Sequence, residues 1–193
     1  MEEKMKMSET VMLIDASFLN FVIADVKKNF ERMLKRELQL IDVSRLITYL
    51  ALDADVSEGK NDVQVLFIYD DESAKLEHCQ PASLVDELNN VAFSNELGEF
   101  SFYSFQPEKI ATLQELYLES LKLIAESKEV KKLIILSFNE EYETKVVSAL
   151  KGVEEMGIIQ FRMNEPDKDL AFRWEMLAYP LMQALGIRGD ELQ

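Results

Sequence analysis

Seven polar residues close or directly follow apolar runs of this chain: Asp15, Asp70, Asp71, Ser137, Asn139, Glu140 and Glu141. Open parallel α/β sheets bind ligands outside the carboxyl ends of their strands, so these positions are the first candidates for chemistry. Carboxylates gathered there would repel one another and raise each other's pKa unless a cation lay between them. Serine and asparagine would add neutral donors and acceptors. A thiol reading rests on His78 and Cys79, the one histidine and the one cysteine. Neighbours along the chain need not face each other, and metal sites of this kind want three or four such ligands, so a structural role is expected for both. Lys28, Arg32, Lys35 and Arg36 form a basic stripe that could meet phosphates. Glu31 and Glu37 interleave it, as on an ordinary solvated helix face. Glycines at 59, 98, 152, 157, 186 and 189 permit neither a GxGxxG fingerprint nor a phosphate-binding P-loop.

The elements that must position these residues follow from periodicity. Short apolar runs predict four strands, Val11–Asp15, Val63–Tyr69, Lys132–Ser137 and Ile158–Met163, and the alternation of polar and aromatic residues predicts a fifth, Glu99–Phe105. Between them apolar residues recur three or four apart. Phe18, Leu19, Val22, Val26, Phe30, Met33, Leu34 and Leu38 mark one helix, and Leu46, Ile47 and Leu50 mark a second with Asp42 as its N-cap. Leu84, Val85, Leu88 and Val91 predict a third helix opened by Pro81. Leu113, Leu116, Tyr117, Leu121 and Ile124 mark a fourth. Tyr142, Val146, Ala149, Leu150, Val153 and Met156 mark a fifth ending before Gly157. Trp174 and Leu177 fall in a tail helix that Pro180 should kink or divide. Asp53–Asp62, polar and containing Gly59, reads as a loop.

This alternation predicts an α/β three-layer sandwich around a central, mainly parallel sheet of about five strands, with the first strand central. Residues 1–193 read as a single domain, with 1–9 flexible and 164–193 a C-terminal helical extension. The chain of 193 residues holds 21 Lys and Arg against 36 Asp and Glu, a net charge of −15 that disfavours generic contact with a polyanion. No apolar run reaches bilayer length, and residues 1–10 lack a signal-peptide core, so neither membrane nor export is expected. A lone cysteine sets cytoplasmic localisation as the default.

Three stretches resemble the NYN family, a branch of the PIN-like nucleases: Val11–Ser17; Ile41–Leu50 with the strand that leads to Asp70; and Leu133–Tyr142. The resemblance implies a PIN-like fold and metal-assisted RNA cleavage, with strand-end carboxylates holding Mg²⁺ or Mn²⁺ that activates water. By that resemblance Asp15, Glu119 and Glu141 would be metal ligands, with Ser137 and Asn139 completing the catalytic set. Here Asn139 replaces an aspartate, Leu113 stands where an acid is wanted, and Phe18 replaces an asparagine. A site short of these groups implies a divergent, catalytically degenerate domain acting as a binding or regulatory module. The alternative is a ribonuclease with a rearranged site using Asp15, Asp70, Glu119 and Glu141. A receiver-like signalling domain stands third: it wants paired acids, an acceptor aspartate and a lysine where the chain offers Asp15 alone, Phe105-Gln106 and Arg162. Partners open to it are RNA through the basic stripe, a protein, or a second copy in a homodimer. Asp15 itself is expected to be strained by surrounding acids.

Overall fold

The computed structural model describes residues 6–193. Its first strand, β1 (Thr10–Asp15), is the least exposed: Val11 to Ile14 have no solvent access. Side chains alternate across a strand, so β1 feeds two cores. Met12 and Ile14 point to one, beneath α1 (Ala16–Leu34), α2 (Val43–Asp53) and α5 (Ala178–Ala184). Val11 and Leu13 point to the other, beneath α3 (Leu113–Glu126) and α4 (Asn139–Ala149). The result is a three-layer α/β sandwich.

The middle layer has seven strands. Beside β1 run β3 (Asn61–Ile68) and β7 (Lys132–Leu136), both parallel to it. Outward lie β6 (Gly98–Phe105) and β5 (Val91–Asn95) on one flank, with β8 (Gly157–Arg162) and β9 (Arg173–Met176) on the other. Only β5 is antiparallel to its neighbour. Counted along the chain, the parallel strands stand third, second, first, fourth, fifth, sixth across the sheet. That is a doubly wound order, and its direction reverses between β1 and β7. A small parallel pair, β2 (Ile41–Asp42) with β4 (Cys79–Gln80), lies outside this sheet.

Local signals explain most boundaries. Asp42 N-caps α2, accepting from Ser44 Oγ at 2.6 Å and the Arg45 amide at 3.3 Å. Thr112 and Glu115 form a reciprocal capping box that starts α3. The tail helix does not include Trp174, which is in β9. Pro180 is the third residue of α5, where no helical N–H bond is lost, so it causes no kink. Gly157 opens β8 instead of closing α4. Residues 164–193 thus contribute an edge strand as well as helix.

No helix forms after Pro81. The segment folds through turns instead, with the Asp86 amide donating to Ser83 Oγ (3.1 Å), the Ser104 amide to Asn89 Oδ1 (3.1 Å), and Asn90 held at φ 58°. Short polar side chains here outcompete the helical ladder, and Val91 enters β5. Of the stretch expected to be flexible, residues 1–5 lie outside the described residues. Residues 6–8 are tied down: Gln64, buried in β3, accepts from the Ser8 amide at 2.8 Å and donates to the Lys6 carbonyl at 2.7 Å. Among the described residues no helix is long and apolar enough to cross a membrane.

Candidate functional site

In a sheet of this order the ligand crevice is expected outside the carboxyl ends of β1 and β7, where the direction of the order reverses. Asp15 ends β1 there and N-caps α1, with 1% of its surface exposed. Its Oδ1 accepts from Ser17 Oγ at 2.6 Å and from the Phe18 amide at 3.1 Å. Its Oδ2 accepts from the Tyr142 phenol at 2.5 Å. Burial pushes the carboxyl pKa up, and these hydrogen bonds pull against that shift. Among the described residues no neighbouring acid contributes to the shift, and desolvation takes the place of the strain expected from surrounding carboxylates. Burial, followed by the nearby Tyr117 and Asp15, also raises the Tyr142 pKa. Tyr117 is fully buried, donates to the Leu13 carbonyl at 3.2 Å, and tilts against Tyr142 with ring centroids 5.6 Å apart.

A second set of polar groups continues from β7 into β8. Ser137, fully buried, donates to Asn139 Oδ1 at 3.2 Å, and Gln160 Nε2 donates to the same oxygen at 3.0 Å. Gln160 Oε1 accepts from Arg162 Nη1 at 2.9 Å. Arg162, 5% exposed, pairs with Glu143 of α4 and donates through Nε to the Asn164 carbonyl at 3.0 Å. Burial lowers the guanidinium pKa, while Asp167 opposes that shift. Among the described residues no buried side-chain nitrogen or oxygen lacks a partner. The polar chain is internally satisfied.

Aromatic rings pack beside these polar groups. Phe138, between Ser137 and Asn139, lies 5.5 Å from the Phe18 ring and 5.4 Å from the Phe21 ring, centroid to centroid. It packs against both cores.

The site residues expected from sequence divide into two groups. Asp15, Ser137 and Asn139 line the crevice. Glu119 and Glu141 do not join Asp15. Inward on α3 are Leu113, Tyr117, Leu121 and Ile124, so Glu119 turns outward into a groove beside Lys122 and Lys145. Glu141 is exposed in the first turn of α4, and it is the next residue, Tyr142, that reaches Asp15. Asp70 closes a turn, accepting from the Glu72 amide at 3.1 Å, the Ser73 amide at 2.9 Å and Ser73 Oγ at 2.8 Å. Asp71 accepts from Gln106. Among the described residues no three His, Cys, Asp or Glu side chains are grouped to hold a metal. A Mg²⁺ or Mn²⁺ centre does not fit this donor set: Asp15 is buried, already accepts from three protein donors, and among the described residues has no second acid grouped with it, whereas such ions want several oxygen ligands. In the basic stripe, Arg36 is committed to Glu191 at 2.8 Å and to the Gly186 carbonyl at 3.2 Å, while Lys28, Arg32 and Lys35 are exposed.

Sequence reasoning missed Tyr117, Tyr142, Gln160 and Glu143 as members of this network. A usable signal was present: a tyrosine on an apolar helix face must find a partner for its hydroxyl when buried. Together, fold and site define a doubly wound α/β domain whose buried polar groups at the switch point are hydrogen-bonded to one another. The chain belongs to the family of unknown function DUF6621, whose model matches residues 4–192. No curated protein and no solved structure matches it.

Proposed function

We propose that the chain is a divergent NYN/PIN-like domain without nuclease chemistry of its own, serving in the cytoplasm as a binding or regulatory module. The observation that carries this reading is the state of Asp15. That side chain is buried, serves as the N-cap of α1 and the acceptor for the Tyr142 phenol, and among the described residues has no second acid grouped with it to complete a metal site. Further support comes from Leu113, which stands where the resemblance wants an acid and is buried against the core. A protein is favoured over RNA as partner, since the net charge is −15 and Arg36 is already ion-paired.

The test is cleavage of single-stranded RNA with Mg²⁺ or Mn²⁺, comparing the wild type with Asp15→Asn and Glu141→Gln. No metal-dependent cleavage is expected. Metal-dependent cleavage abolished by both substitutions would establish a ribonuclease with a rearranged acidic site. RNA binding that falls when Lys28, Arg32 and Lys35 are changed to Glu would make RNA the partner.

A further inference from the structure

The two edges of the sheet are guarded very differently. At one edge, β9 carries Arg173 and Glu175 in four residues, and Arg173 ties itself to Asp55, to Glu175 and to the Asp53 carbonyl. Charged edge strands resist pairing with another chain. At the other edge, β5 reads Val-Ala-Phe-Ser-Asn, with no charge and no proline in a chain that is 30% charged. Among the described residues it pairs only with β6 in the sheet. Val91, Ala92, Ser94 and Asn95 are exposed. Phe93 is half-buried and stacks on Phe100 at 4.8 Å and 6°, and on Phe102 at 5.5 Å. Phe102 in turn stacks on Phe67 at 6.0 Å, so a row of rings runs from inside the sheet to its rim and stops at Phe93.

We propose that β5 pairs antiparallel with the β5 of a second copy about a two-fold axis at Phe93, joining two seven-stranded sheets edge to edge. This inference is independent of whether the crevice performs chemistry. The strand is self-complementary in that register. Val91 stands opposite Asn95, Ala92 opposite Ser94, and Phe93 opposite its own symmetry mate. Just outside the strand, Asn90 stands opposite Glu96, so no like charges face each other directly. The ring row of each copy meets the other at the axis, and the unpaired backbone groups of each edge supply the other's ladder. Two bodies of charge −15 repel through space, while the contact itself is uncharged. Association therefore strengthens as salt screens that repulsion.

The register sets the experiment. Ala92 and Ser94 are exposed, so the double variants A92E/S94E and A92K/S94K leave the monomer folded, as thermal melting will verify. In the dimer each puts like charges opposite one another in two symmetry-related pairs, whereas A92K/S94E puts Lys opposite Glu. Sedimentation equilibrium across a concentration series, at low and high salt, reads the association constant of the full chain. The wild type is expected to dimerise more tightly at high salt. Both like-charge variants should lose about tenfold in association constant, and A92K/S94E should retain it. A monomeric wild type overturns the proposal and leaves the edge to a strand from a different protein. A dimer indifferent to all three variants overturns it as well, since its interface then lies elsewhere.

Discussion

The Tyr142 phenol donates to Oδ2 of Asp15 at 2.5 Å, linking the start of α4 to the carboxyl end of β1 across 127 residues of sequence. The backbone of Tyr142 departs from helical geometry, at φ −145° and ψ 27°, within α4. Asp15 simultaneously caps α1, so one carboxylate fixes elements in two different layers.

Replacing Asp15 with Ala removes an N-cap and leaves a buried phenol without its acceptor. The combined cost is expected at about 2–4 kcal/mol. Tyr142→Phe alone should cost about 1–2 kcal/mol. Chemical denaturation of both single variants and the double variant checks this. The double variant should cost less than the sum of the singles, because the two side chains share one bond.

The raised pKa of Asp15 makes stability depend on pH. A carboxyl whose folded pKa lies above its ordinary 3.8 binds its proton more tightly in the fold than in the unfolded chain. Its stabilising contribution is complete below 3.8 and is lost as pH rises through the folded value. Measured against Asp15→Asn, the wild type should therefore lose ground as pH increases across that window. Tyr142→Phe removes a hydrogen bond that lowers the pKa, so the window should extend to higher pH. Denaturant melts in steps of pH are the measurement.

Cys79 is buried in β4, and burial pushes its thiol up to about 12 from an ordinary 9.0. At about pH 8 its thiolate fraction is then about a thousandfold below that of an unperturbed thiol. A disulfide reagent such as DTNB should leave the folded protein unlabelled on the timescale that labels the urea-unfolded chain completely. Rapid labelling under native conditions would show that β4 opens readily.

Gln64→Leu keeps the volume of a buried side chain but removes its bonds to Ser8 and Lys6. The expected loss is about 1–2 kcal/mol, from two hydrogen bonds and the half-buried Ser8 amide left without its acceptor. Limited proteolysis read by mass spectrometry should show faster trimming around residues 6–9 than in the wild type.

The five central strands and the cap of α2 could be read from the chain because their cause is local: apolar runs, or in Glu99–Phe105 an alternation of polar and aromatic residues, and Asp42 before a helical period. The edge strands could not. Leu84, Val85 and Leu88 have helical spacing, yet Ser83 and Asn89 bond to nearby backbone and divert the chain. At the site, Asp15, Ser137 and Asn139 were legible as strand-end residues. Tyr142 was legible on the apolar face of its helical period, but that its hydroxyl meets Asp15 depends on a contact across 127 residues of sequence, which no local pattern reveals.

The central place of β1 also governs the order in which the molecule can be completed. Its partner on one side, β3, follows about fifty residues later, but its partner on the other, β7, pairs Thr10 with Lys132. A chain emerging from the ribosome can lay α1 and α2 over one face of the early sheet. Val11, Leu13, Leu66 and Ile68 on the opposite face then stay uncovered until α3 arrives. Completion of that layer must await closure of a long loop, which slows folding and leaves an apolar sheet face open to other chains in the interval.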